Sequence, residues 1–190
     1  LKATEARKLA RELRRGGLAP EARIAFGGNV VFEPLAEYLE EHLACEGIVA
    51  ASYIAPFNQQ VQEVLDPTSA LRRFDPHFLL LHSELDALLG GLCDPRDGDG
   101  QNRAQAAVLS SMQSAVNHAL EKTRATVLLT NFAALDRCDL GLADWRRELG
   151  QQEFAWQLNS ALNKVFRSEP RVQIVDLSRL MALHGHERAR

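Results

Sequence analysis

Short apolar segments alternate with longer amphipathic segments along this chain, and that alternation constrains the fold more than any other feature. The apolar segments are residues 23–29, 47–55, 78–81, 125–130 and 172–177. Continuous rather than alternating apolarity is typical of strands that are buried on both faces of a parallel sheet. The segments between them have helical spacing, as in Leu35, Leu39 and Leu43. The pattern predicts an α/β fold, a three-layer α/β/α sandwich around a parallel five-stranded sheet.

Right-handed crossovers between such strands predict a doubly wound sheet in the flavodoxin-like order 2-1-3-4-5. In sheets of this kind, ligands bind beyond the carboxyl ends of the strands, near the switch in strand order. Polar side chains follow or end four of the predicted strands. We therefore predict a ligand-binding site made of Asn29, Asn58, Gln59, His82 and Asn131. Neutral amides with one histidine suit a polar, uncharged ligand better than a bare phosphate.

A polar cluster follows the second strand, where Asn58, Gln59, Gln60 and Gln62 stand close together. A packed core does not need so many amides, so the cluster points to a function. The stretch ends at residues 66–69, Asp-Pro-Thr-Ser, which form a good turn and helix cap. For Ser69, structural and functional roles are equally open.

Composition excludes several classes of protein. The net charge of −3 does not favour binding to nucleic acid or to acidic membranes. No apolar run reaches the roughly 20 residues that a membrane helix needs. Cys45, Cys93 and Cys138 are odd in number and widely spaced, so they favour free thiols in a reducing cytoplasm over a disulfide framework or a zinc site. We therefore expect a cytoplasmic protein.

Neither a phosphate-binding loop nor a metal motif is present in the sequence. Residues 27–29, Gly-Gly-Asn, are too short for a dinucleotide loop, and this weighs against a nucleotide-binding module. Residues 97–100, Asp-Gly-Asp-Gly, do not follow a buried strand and lack the spacing of an EF-hand. They belong to a polar loop predicted at residues 94–100, which precedes a long helix predicted at residues 101–122. We expect no metal site and no cofactor in this domain.

The sequence predicts one α/β domain at residues 23–190, preceded by a segment, residues 1–22, that leads into it or packs on it. That segment contains a basic amphipathic helix at residues 3–15, ended by Gly16 and Gly17. The first residue is Leu, and we expect the chain to be a fragment of a longer protein.

Several blocks carry a resemblance to a known family. The first block is residues 24–29. The second begins at residues 55–69 and continues through Leu71, residues 74–76 and residues 79–81. Two later blocks, at residues 127–132 and 175–177, extend the resemblance. Together they resemble the N-terminal domain of FkbH-like proteins, with a pattern of Asn58, Gln62, Glu63, Asp66-Pro67 and Ser69. The resemblance implies an SGNH-hydrolase-like fold joined to a C-terminal haloacid-dehalogenase-like (HAD) phosphatase domain of subfamily IIIC. Family members take a glyceryl unit from 1,3-bisphosphoglycerate and load it onto the phosphopantetheine arm of an acyl carrier protein in polyketide-type biosynthesis. The expected partners are thus an acyl carrier protein and the HAD-like domain.

The chain departs from SGNH hydrolases at their catalytic positions. Asn29 stands where the Gly-Asp-Ser block places its serine, residues 81–84 do not match Gly-x-Asn-Asp, and Arg179 replaces the histidine of Asp-x-x-His. A triad needs a nucleophile, a base and an orienting group. We therefore predict a non-hydrolytic module with no catalytic residues. The alternative is an active esterase or acyltransferase with a rearranged nucleophile at Ser69, Ser83 or Cys138.

Overall fold

The computed structural model describes residues 19–85, 88, 98–133, 141–146 and 150–184. The helix predicted at residues 3–15 lies outside the described residues, and so do Cys93 and Cys138. The strands are β1 (Ala22–Gly28), β2 (Ala50–Ile54), β3 (Phe78–His82), β4 (Thr126–Thr130) and β5 (Val172–Val175). The α-helices are α1 (Glu33–Cys45), α2 (Gln60–Leu65), α3 (Ala70–Phe74), α4 (Gly98–Lys122), α5 (Gln151–Phe166) and α6 (Leu177–His184), and a 3₁₀ helix spans Gly141–Arg146.

The strands form one parallel sheet in the order β2-β1-β3-β4-β5, with helices flanking it. The predicted architecture and strand order are therefore confirmed. Strand β1 pairs with both β2 and β3, so that Phe26 lies opposite Ile54 on one side and Leu80 on the other. This central position brings the carboxyl end of β1 between two neighbouring strand ends.

The chain divides into two compact units, residues 1–82 with 118–127 and residues 83–117 with 128–190. In the first unit, Ile24 and Phe26 of β1 pack with Phe32 and Ala36 at the start of α1. In the second unit, Leu158 and Leu162 of α5 are fully buried. In α1 the buried residues are Ala36, Glu40 and Ala44, and Leu39 and Leu43 are partly buried against the core. Leu35, which the helical spacing placed on the same face, is exposed, so that part of the prediction is wrong.

Helix boundaries differ from the sequence prediction at three places. Helix α4 begins at Gly98, whereas the sequence predicted a loop up to residue 100 and a helix from Gln101. Helix α3 was not predicted as a separate element, and Ser69 caps its first turn. Strand β5 ends at Val175 and α6 follows, because the Asp176 carboxylate accepts a hydrogen bond from the Arg179 backbone N–H at 3.0 Å. Capping side chains of this kind stabilise helix starts that apolar periodicity does not reveal.

Candidate functional site

The carboxyl end of β1 approaches β3 so closely that only glycine fits. Gly28 pairs with His82, and a Cβ atom added to Gly28 would lie 1.8 Å from the His82 carbonyl oxygen. A Cβ atom on Gly27 would lie 2.6 Å from the Cβ atom of Gln60. The two glycines therefore serve close packing at this edge of the sheet.

The loop after β2 is held against the same end of β1 by its backbone. The Ala55 N–H donates to the Phe26 carbonyl at 2.8 Å, and the Asn58 N–H donates to the Gly28 carbonyl at 2.7 Å. Asn58 has a φ of 57°, a left-handed conformation that asparagine tolerates better than most residues. The side chains of Phe57, Asn58 and Gln59 are exposed. The loop thus presents two amides and an aromatic ring to solvent from a fixed backbone.

Gly28 is the common neighbour of three of the five predicted site residues. Asn29 follows it in the chain, the Asn58 N–H bonds to its carbonyl oxygen, and His82 is its partner in β3. Asn29 and His82 are both half-buried. The His82 ring meets the ring of Phe32 edge-on, with centroids 6.3 Å apart. The geometry thus places Asn29, Asn58 and His82 around the end of β1, and ligand binding by them stays a prediction.

Asn131 belongs to the second unit, where its amide makes contacts at both ends. Its Nδ2 atom donates to the Asp176 carboxylate at 2.8 Å, and its Oδ1 atom accepts from the Ser178 backbone N–H at 3.2 Å. The Asn131 N–H donates to the Val175 carbonyl at 3.1 Å. These contacts hold the beginning of α6 to the end of β4.

Gln60 is a polar residue of this region that the predicted site did not include. Its Oε1 atom is buried and has no hydrogen-bond partner within the described part of the chain. Buried polar atoms are paired in the great majority of cases, so an unpaired one calls for an explanation. The polar cluster at residues 58–62 was the sequence signal that could have led to Gln60.

Ser69 caps α3 and is bonded through its hydroxyl on both sides. The hydroxyl donates to the Glu63 carbonyl at 2.6 Å and accepts from the Arg72 N–H at 3.0 Å. Ser69 is only 6% exposed. These are the contacts of a helix cap, and they leave the Ser69 oxygen without a neighbouring base among its hydrogen-bond partners.

The Glu63 side chain ties the same segment to β2. Its carboxylate accepts from the Tyr53 hydroxyl at 2.6 Å and from the Leu71 N–H at 3.1 Å. Burial, together with the hydrogen bond to Glu63, raises the pKa of Tyr53 to about 12. Hydrogen bonds from the hydroxyl and the N–H of Thr68 lower the pKa of Asp66. Much of the Glu-x-x-Asp-Pro-x-Ser pattern therefore has a structural role.

Within residues 19–85, 88, 98–133, 141–146 and 150–184, no three His, Cys, Asp or Glu side chains are placed to hold a metal ion together. None of the helices described is both long and apolar enough to cross a membrane.

The sheet order and its flanking helices define the chain as a doubly wound α/β protein. The structure is similar to the N-terminal part of the protein BF1531 from Bacteroides fragilis, described as containing a phosphatase domain complexed with Mg, with a TM-score of 0.78 and 18% identity. The match covers 98% of this chain and 48% of that one, so this chain spans about half the length of that structure.

Two esterase-type structures also align. The acetyl xylan esterase AlAXEase has a TM-score of 0.54 and 12% identity, over 88% of this chain and 83% of that one. A GDSL-like lipase from Bacteroides thetaiotaomicron, BT0569, has a TM-score of 0.45 and 16% identity, over 93% and 80%. No protein-family model and no curated protein matches the chain. The likenesses to BF1531 and to the xylan esterase support the doubly wound α/β fold.

Proposed function

We propose that this chain is the non-hydrolytic SGNH-like N-terminal module of an FkbH-like protein. The parent protein would take a glyceryl unit from 1,3-bisphosphoglycerate, release phosphate and load the unit onto an acyl carrier protein. The likeness to BF1531 supports a two-domain parent, because that structure contains a phosphatase domain and is about twice as long as this chain. The resemblance at residues 55–69 supports the assignment to FkbH-like proteins.

The non-hydrolytic role is inferred from the residues at the end of β1, Gly28 and Asn29. By the sequence resemblance, Asn29 stands where SGNH hydrolases place their nucleophilic serine. An amide nitrogen is a much poorer nucleophile than a base-activated serine oxygen, because its lone pair is delocalised into the carbonyl group. The Asp of the Gly-Asp-Ser block corresponds to Gly28, where the His82 carbonyl oxygen leaves no room for a side chain. Substrate binding without ester hydrolysis is what these residues support.

The proposed role of the module is to bind the phosphopantetheine arm of the carrier protein or its glyceryl thioester. The pantetheine arm contains two amides and the glyceryl unit has hydroxyls, all of which form hydrogen bonds with neutral side chains. Asn58 and Gln59 present such groups on the exposed loop, and Asn29 and His82 lie beside it. Asn131, the fifth predicted site residue, has its amide bonded to Asp176 and Ser178.

The experiment is a loading assay with the parent protein, its carrier protein and 1,3-bisphosphoglycerate, read by intact-protein mass spectrometry. Removing one amide partner costs about 1–3 kcal/mol. Asn58→Ala should therefore slow loading, and Asn58→Ala with Asn29→Ala should slow it further, while phosphatase activity is retained. Gln62→Ala is the matched control, because this amide is exposed and is not one of the five predicted site residues. Wild-type loading by the double variant would contradict the proposal.

The esterase alternative is tested on the chain itself with p-nitrophenyl esters and acyl thioesters. We expect no hydrolysis above that of a control protein, since Asn29 cannot act as the nucleophile. Turnover that Ser83→Ala or Cys138→Ala abolishes would favour the alternative instead. Ser69→Ala is a separate case, because the Ser69 hydroxyl caps α3 and its loss should also destabilise the fold.

A further inference from the structure

The side chain of Gln60 lies beside the predicted site and has an unsatisfied acceptor. Its Oε1 atom is buried and has no hydrogen-bond partner among the described residues. Its Cβ atom packs on Gly27, the residue before Gly28, so the base of the side chain is fixed at the end of β1. A buried amide oxygen without a partner destabilises the folded chain, because it has lost its hydrogen bonds to water.

Gln60 follows an exposed stretch of the chain. Gln60 as a whole is half-buried, and the three residues before it, Phe57, Asn58 and Gln59, are exposed. The backbone of that loop is fixed to β1 by the Asn58 N–H. A ligand that reaches the Gln60 oxygen from the side of this exposed loop would supply the hydrogen bond that the described residues do not.

We propose that Gln60 is a ligand-binding residue, whose side-chain oxygen accepts a hydrogen bond from a neutral amide N–H or hydroxyl of the ligand. The inference rests on the proposed function, in that it takes this edge of the sheet as the ligand site. Neutral donors are favoured over a cation, because Asn29, Asn58 and Gln59 carry no charge that would hold one.

The proposal predicts that Gln60 favours binding at the expense of stability. Methionine has nearly the same length as glutamine and keeps the contact with Gly27, but it has no strong acceptor. Gln60→Met should therefore leave the melting temperature of the chain unchanged or raise it by about 2–4 °C, because the unsatisfied oxygen is gone. A glutamine that served only the fold would show a lower melting temperature on the same substitution.

The experiment titrates pantetheine, and separately glycerol, into the 190-residue chain and follows binding by NMR. Gln60→Met should raise the Kd about tenfold for the probe that donates a hydrogen bond to Gln60. Gln62→Met is the control, because Gln62 is an exposed amide on the same helix, and this substitution should not change the Kd. An effect on pantetheine alone identifies an amide of the arm as the donor, and an effect on glycerol alone identifies a hydroxyl.

Three results would overturn the inference. They are an unchanged Kd for both probes in Gln60→Met, a melting temperature that falls by several degrees in this variant, and no binding of either probe to the wild-type chain. The parent loading assay separates this inference from the proposed function. Normal loading by the parent carrying Gln60→Met removes the role of Gln60 and leaves the proposed function standing. If pantetheine binding depends on Gln60 but the parent loads no glyceryl unit, the role of Gln60 stands and the proposed function fails.

Discussion

Ser69→Ala separates the two roles that the sequence left open for this serine. The substitution removes a hydroxyl that donates to the Glu63 carbonyl and accepts from the Arg72 N–H. If Ser69 is a helix cap, its loss should destabilise the chain and have no effect on ester hydrolysis. If Ser69 is a nucleophile, its loss should abolish turnover and leave the fold intact.

The structure gives the size of the expected effect. Loss of a serine helix cap costs about 0.5–2 kcal/mol. Loss of the buried hydrogen bond to the Glu63 carbonyl adds about 1 kcal/mol, since Ser69 is only 6% exposed. Together they amount to about 2 kcal/mol, which lowers the melting temperature of a chain of this size by about 4–8 °C.

Urea and thermal unfolding of the 190-residue chain measure this effect. Thr68→Ala is the matched control, because the neighbouring Thr68 is exposed and its hydroxyl bonds to the exposed Asp66, so its loss should change stability by less than about 0.5 kcal/mol. Ser69→Thr keeps both hydrogen bonds and should restore most of the stability. A melting temperature for Ser69→Ala within about 1 °C of wild type would refute the cap argument. Ester turnover present in wild type and lost in this variant would refute the non-hydrolytic role.

Three further predictions concern the fold around the site. Gly28→Ala should destabilise the chain by about 3 kcal/mol or more in urea unfolding, because its Cβ would lie 1.8 Å from the His82 carbonyl oxygen. A variant as stable as wild type would show that β1 and β3 can move apart at little cost. Burial and the bond to Glu63 raise the pKa of Tyr53 from 10.0 to about 12, so folding favours the protonated phenol. The stabilisation that comes from this pKa shift is complete below about pH 10 and is lost as pH rises towards 12. In Tyr53→Phe the urea midpoint should therefore fall less steeply across that pH range than in wild type. An equally steep fall in the variant would contradict the assignment. Asn131→Ala should cost about 1–3 kcal/mol of unfolding free energy, because both ends of its amide are bonded, and an unchanged midpoint would show that these bonds are replaced by water.

The sheet could be predicted from the sequence because its determinants are local. Apolar runs such as residues 78–81 require burial on both faces, and right-handed crossovers leave few strand orders for five such runs. The boundaries of α3 and α6 could not be predicted from periodicity, since they depend on the caps Ser69 and Asp176. Such caps become visible only when the neighbouring backbone is in place.

For the candidate site, the sequence alone determined which residues follow the strands, and so it placed Asn29, Asn58 and His82 at the carboxyl ends. Only the tertiary structure decided what each of them contacts. The need for glycine at position 28 comes from a carbonyl group 54 residues later, and the partner of Asn131 lies 45 residues away. The unpaired oxygen of Gln60 likewise depends on which atoms surround it after folding. Contacts between distant segments arise from packing, which has no local signature in the sequence. For that reason the sequence could not show that the Asn131 amide holds the start of α6.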